Sequence, residues 1–194
     1  MSGFARHRRS GHVIATFSGF EADLLRSLAS QLVELLRNEA AAPTSAGDPL
    51  EALMDFSGPT SEPEDPVLAR LFPNAYPDDE EAAGEFRRFT EGTLRDGKAR
   101  NAVLIIDQLE EAGLPAELEE DGLWIDVELT IPQAQAWLRS FTDVRLALAT
   151  RLGVEEGDEE LWASLPEDDP RTQVHDIYEW VGYLQETLVR ALSD

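Results

Sequence analysis

Three long stretches of this chain carry an apolar side chain at every third or fourth position, and that spacing constrains the fold more than any other feature. In the first, Phe20, Leu24, Leu28, Leu32 and Leu35 recur after a capping box formed by Ser18 and Glu21, with Leu25 and Leu36 beside them. In the second, Trp137, Leu138, Phe141, Val144, Leu148 and Leu152 follow the helix start Thr130-Ile131-Pro132. In the third, Val174, Ile177, Val181, Leu184, Leu188 and Leu192 follow Asp169-Pro170. A helix with one apolar stripe is stable only when that stripe is buried, so three of them predict helices packed on one another.

Between the first two lie two further helical patterns. Residues 78–95 open with four acids, which suit the positive end of a helix, and their stripe is Ala82, Phe86, Phe89 and Thr93. Gly97 breaks the pattern. Residues 98–112 then carry Ala99, Ala102, Val103, Ile106 and Leu109 up to the C-cap Gly113. Short helices are expected over 50–56 and over 66–72, the latter with proline in its first turn. Residues 161–165 offer at most one more turn.

Two segments carry strand and turn signals instead. Residues 4–17 read as a β-hairpin turning at Ser10-Gly11, and 114–130 as a second one turning at Asp121-Gly122, where Leu123, Ile125, Val127 and Leu129 form one face. The expected fold is therefore mainly α, a single-domain helical bundle over 1–194 with two small β-hairpins that can pair into one sheet. Residues 1–17 form the hairpin arm, 40–66 a flexible linker and 114–130 the second hairpin.

Composition narrows the function. Asp and Glu number 39 against 16 Lys and Arg, a formal net charge of −23. Such a chain is repelled by DNA phosphates and by anionic membranes. The excess either keeps the protein soluble or steers in a partner with a basic surface. There is no cysteine, so disulfides, thiolate metal sites and thiol nucleophiles are excluded. The start of the chain lacks an apolar signal core and no window approaches the ~20 apolar residues of a membrane span; the expected compartment is the cytoplasm.

No catalytic constellation is legible, and no cofactor or metal is expected. His7, His12 and His175 read as surface histidines. The acids around Gly157 lack the spacing of a calcium loop and read as a solvated loop or a weak divalent-cation site. No phosphate-binding glycine loop, nucleophile elbow or helix-turn-helix is present. Arg145 is distinctive because it falls inside the apolar stripe of its helix. Its head reaches solvent, or pairs with a carboxylate such as Asp143 or Glu85, or binds an anion. Arg6, Arg8 and Arg9 form the one strip where DNA phosphate could sit, and Arg87 and Arg88 belong to a second basic region. Trp124 and Trp180 lie off their buried stripes, as interface anchors or as second-core packing. These eight residues are the interaction candidates.

The segments DPVLARLFPNAY (65–76), EFRRFTEGTLRDGKARNA (85–102) and WLRSFTDVRLALATRLGV (137–154) resemble an actinobacterial domain-of-unknown-function family that includes the oxidative-stress transcription regulator AosR. The resemblance extends over essentially the whole chain. It implies a cytoplasmic protein, encoded near a protease adaptor and sulfur-carrier cysteine biosynthesis, with a transcription-associated role through a sigma factor or RNA polymerase. Sensing in the regulator that names the group is attributed to a cysteine pair, which this chain lacks. The expected function is a non-enzymatic regulator acting by protein contact, with DNA reached indirectly or through the N-terminal arginines and with a homodimer open. The alternatives are a protease-adaptor-like binding module and a carboxylate-based ligand- or metal-binding protein.

Overall fold

The computed structural model describes residues 3–38, 59–118, 122–166 and 168–193. The helix anticipated over 50–56 lies outside them. The elements are β1 (Ala5–Arg6), β2 (Val13–Ser18), α1 (Gly19–Asn38), α2 (Pro66–Leu71), α3 (Glu80–Glu111), β3 (Trp124–Leu129), α4 (Ile131–Leu152), α5 (Glu159–Ala163) and α6 (Pro170–Ser193). The protein is mainly helical with one small antiparallel sheet, as the sequence implies.

The sheet runs β1-β2-β3. β2 pairs with β3 from Val13↔Leu129 to Ser18↔Trp124. Val13, Ala15 and Phe17 alternate inward with Ile125, Val127 and Leu129, as a pleat with one buried face requires. The first hairpin closes through His7 N–H to His12 O (2.8 Å) and Gly11 N–H to His7 O (2.9 Å), with Gly11 at φ +69°. The second hairpin is a correction. Residues 114–118 form no strand, and β3 takes β2 as its partner. Two causes are visible. Pro115 has no N–H for a ladder, and the Arg26 guanidinium on α1 claims the carbonyls of Pro115 and Ala116 at 2.6 and 3.1 Å.

Beneath the sheet the core is aromatic. The Phe4 ring meets Phe17 and Trp137 edge-on at 5.8 Å, and Trp137 meets Phe141 at 5.9 Å. The Trp137 indole N–H is satisfied by Gln108 Oε1 at 2.6 Å. Helices α1, α3, α4 and α6 pack around this cluster. Local signals set their starts. Glu21 accepts from Ser18 N–H at 2.8 Å and Ser18 Oγ from Glu21 N–H at 3.2 Å, while Gln133 accepts from Thr130 N–H at 2.8 Å.

Three further expectations are corrected. Residues 80–111 form one uninterrupted 32-residue helix, not two helices broken at Gly97. A mid-helix glycine costs about 1 kcal/mol. That is less than the contacts made on either side of it, where Arg95 bonds to α1 and Lys98 to α4. The buried stripe of α1 is Ala22, Leu25, Ala29, Leu32, Val33 and Leu36, which leaves Phe20 at the helix start 74% exposed. The third correction concerns the first half of α3, where Phe86 and Phe89 point outward.

Candidate interaction surface

Along the first half of α3, the inward positions are Ala83, Gly84, Arg87, Glu91 and Arg95. Glu91 accepts from Arg87 Nη1 at 2.6 Å and from Arg95 Nη2 at 2.5 Å, and all three side chains are at most 10% exposed. The reason lies in what this face crosses. The last carbonyls of a helix have no partner within it and carry the negative end of its dipole. Arg95 Nη1 donates to Leu36 O in the last turn of α1 (3.0 Å), and Arg87 Nη2 donates to Phe72 O at the end of α2 (3.1 Å) and to Asn74 Oδ1 (2.7 Å). The Arg95 guanidinium also lies 4.7 Å from the Phe72 ring centroid. Phenylalanine at these positions could not satisfy those carbonyls; arginine can, and Glu91 balances the charge. Lys98 Nζ reaches Asp143 Oδ1 at 2.6 Å just beyond. Burial pushes the Asp143 carboxyl above its ordinary range, against the opposing pull of Lys98.

The apolar side chains expected inside therefore lie outside. Phe86 and Phe89 are 44% and 63% exposed, and Tyr76 beside them is 49% exposed. Tyr76 meets Phe86 edge-on at 6.0 Å, and the Arg88 guanidinium lies over Phe89 at 5.4 Å. Asp78, Asp79, Glu80, Glu81 and Glu85 are exposed at the N-terminal end of this stripe, and Asp96 is exposed on the same face two turns beyond Phe89. The periodicity of the sequence contains both faces of this helix but does not say which is inner; the orphaned carbonyls of α1 and α2 decide it.

The remaining candidates are scattered. Arg87 is enclosed in the ion cluster and Arg88 is exposed. Arg8 and Arg9 are exposed in the β1–β2 turn, and Arg6 is half-buried on β1. Around that turn Ser10 Oγ and His12 Nδ1 contact Glu128 on β3 at 3.1 and 2.9 Å. The hydrogen bonds from His12 and Ser10 hold the Glu128 carboxyl below its usual range. Trp124 is 64% exposed on the outer face of β3, whereas Trp180 packs against the core.

Arg145 is half-buried between α4 and α6. It donates to Gln185 Oε1 (2.9 Å) and Tyr178 Oη (3.2 Å), and its guanidinium lies 4.8 Å from the Tyr178 ring centroid. Of the three readings open for it, pairing with Asp143 or Glu85 is not made: Asp143 pairs with Lys98, and Glu85 is exposed on α3. Gly182 makes room, since a Cβ there would sit 3.2 Å from Arg145 Cζ. His175 stacks on Trp162 at 4.6 Å near the acidic segment that follows α4.

Among the described residues no three His, Asp or Glu side chains converge in a way that could hold a metal ion, and no helix is long and apolar enough to cross a membrane. Buried charge among them is confined to Arg87, Glu91, Arg95 and Asp143, so the other acids of the described residues are partly or fully exposed.

The chain is 32% identical over 186 residues to the putative oxidative stress regulator AosR of Mycobacterium leprae, covering 89% of this chain and 78% of that protein. It is 30% identical over the same length, with the same coverage, to the oxidative stress regulator AosR of Mycobacterium bovis and of Mycobacterium tuberculosis. No solved structure matches. The family described as a domain of unknown function, DUF2017, matches residues 1–192, and this chain belongs to that family.

Proposed function

We propose that this chain is a cytoplasmic, non-enzymatic transcription regulator that works by binding a basic protein surface, with a sigma factor or RNA polymerase as the partner. The observation that carries the reading is the similarity, across most of the chain, to proteins named oxidative stress regulators. The acid excess supports it, because complementary charge speeds encounter with a basic partner and suppresses direct DNA binding. DNA is reached through the partner, or locally through Arg6, Arg8 and Arg9. Whatever signal is read, no thiol in these 194 residues reads it.

The test is binding of the purified chain to purified RNA polymerase core, to sigma factors and to duplex DNA at about 0.15 M salt. The expected result is a complex with polymerase or a sigma factor that weakens as salt rises, and no tight complex with DNA alone. Tight DNA binding by the isolated chain, or no binding to either protein, refutes the proposal.

A further inference from the structure

The first half of α3 has charge inside and aromatic rings outside. The inner half of that inversion is explained by the carbonyls that Arg87 and Arg95 satisfy. The outer half has no such explanation within the fold. Tyr76, Phe86 and Phe89 touch one another or Arg88 but leave on the order of 300 Å² of ring surface in water, taking ~200 Å² per ring. That is the scale of the largest patch on an ordinary monomer, which is often functional. Local choices that conflict with the needs of the isolated fold mark the places where sequence serves something else.

The charges around the rings indicate what that is. Asp78, Asp79, Glu80 and Glu81 stand at one end of the stripe, with Glu85 one turn before Phe89 and Asp96 two turns after it. Arg88, the cation within the stripe, is already placed over Phe89. An apolar centre with an acidic rim matches an amphipathic helix whose apolar side is bordered by Lys and Arg. Phe86 and Phe89, spaced i and i+3, form the ridge on which such a helix seats. A second copy of this chain fits less well, because it would bring another acidic rim and another −23 charges.

We infer that the outer face of α3, centred on Phe86 and Phe89, docks a basic amphipathic helix of the partner protein. The inference rests on the regulator reading for the partner's identity, but its geometry is tested separately. The probe is a synthetic Leu/Lys helix of about 18 residues, long enough to hold helical structure, with a Lys/Ser peptide of equal charge as control. The variants are Phe86→Ser/Phe89→Ser and Glu80→Gln/Glu81→Gln/Glu85→Gln, each checked for unchanged melting temperature. The wild type is expected to bind the Leu/Lys helix and not the Lys/Ser peptide. The aromatic variant should bind at least about tenfold more weakly, as loss of anchor residues does, and the acidic-rim variant should bind more weakly at low salt, with a shallower salt dependence than wild type. Equal binding of both peptides, or an aromatic variant that binds as well as wild type, overturns the inference. So does self-association of the wild type that Phe86→Ser/Phe89→Ser abolishes, because the occupant is then a second copy. RNA polymerase in parallel separates the two readings. A chain that binds the helix through this face but not polymerase keeps the docking face and loses the polymerase assignment. One whose polymerase binding ignores the aromatic variant keeps the assignment and places its contact elsewhere.

Discussion

Replacing Glu91 with alanine should be among the most damaging single substitutions in the described structure, and its size follows from the ion cluster. Glu91 is 3% exposed and accepts from both Arg87 and Arg95, themselves 5% and 10% exposed. Removing the carboxylate leaves two enclosed guanidiniums without the anion that bridges them. Truncating one partner of a buried pair costs about 3–5 kcal/mol because the surviving charge stays desolvated. For a chain of this size each kcal/mol lowers the melting point by ~2–4 °C, so the fall should be roughly 6–20 °C by circular dichroism or calorimetry. Glu91→Gln should not rescue, because its amide turns a donor toward one of the two arginines. The control is Glu186→Ala. Glu186 and Arg190 have the same i,i+4 spacing, but at 61% and 69% exposure, and exposed pairs of this kind are worth ~0.3–0.5 kcal/mol. If Glu91→Ala cost no more than Glu186→Ala, the carboxylate would not be holding the arginines and the account of α3's inner face would be wrong.

Gly97→Ala should stabilise by ~0.5–1 kcal/mol in urea unfolding, since a Cβ there meets nothing within 4 Å of an uninterrupted helix; destabilisation would mean the helix does break at this glycine. Arg145→Met should cost only about 1–2 kcal/mol, less than Glu91→Ala, because its partners are the neutral Gln185 and Tyr178 and no counter-charge is stranded; a loss as large as that of Glu91→Ala would reveal a carboxylate pairing. Asp143 binds its proton more tightly folded than unfolded, so its contribution makes stability fall as pH rises from the unfolded carboxyl value through the raised folded one; Asp143→Asn should flatten that part of the stability–pH curve, and an unchanged slope would refute it. Asp169 has the opposite sign. Its hydrogen bond from Arg171 lowers it to about 2, so its contribution is present above the ordinary value and is lost as pH falls through about 2; an NMR titration placing it near 3.8 would remove the Arg171 contact as the cause.

The sequence by itself determined the elements that depend on neighbours along the chain. The Ser18–Glu21 box, the Thr130-Ile131-Pro132 start and the inward set Ile125, Val127 and Leu129 are local statements, and each is realised where it was expected. The absence of cysteine and the acid excess are compositional and bound the function without reference to the fold. What only the tertiary structure decided is which of two amphipathic faces turns inward and which strand finds which. The first half of α3 has an aromatic face and a charged face, and pattern alone favours burying the rings. The charged face is buried because the ends of α1 and α2 present carbonyls there, a fact residing in segments that meet only after folding. β3 pairs with β2, while the carbonyls of residues 115 and 116 are taken by Arg26, nearly ninety positions away in the chain. Hydrogen-bond demand from distant backbone is invisible to periodicity, and in this protein it is that demand which turned Arg87 and Arg95, with Glu91 between them, inward.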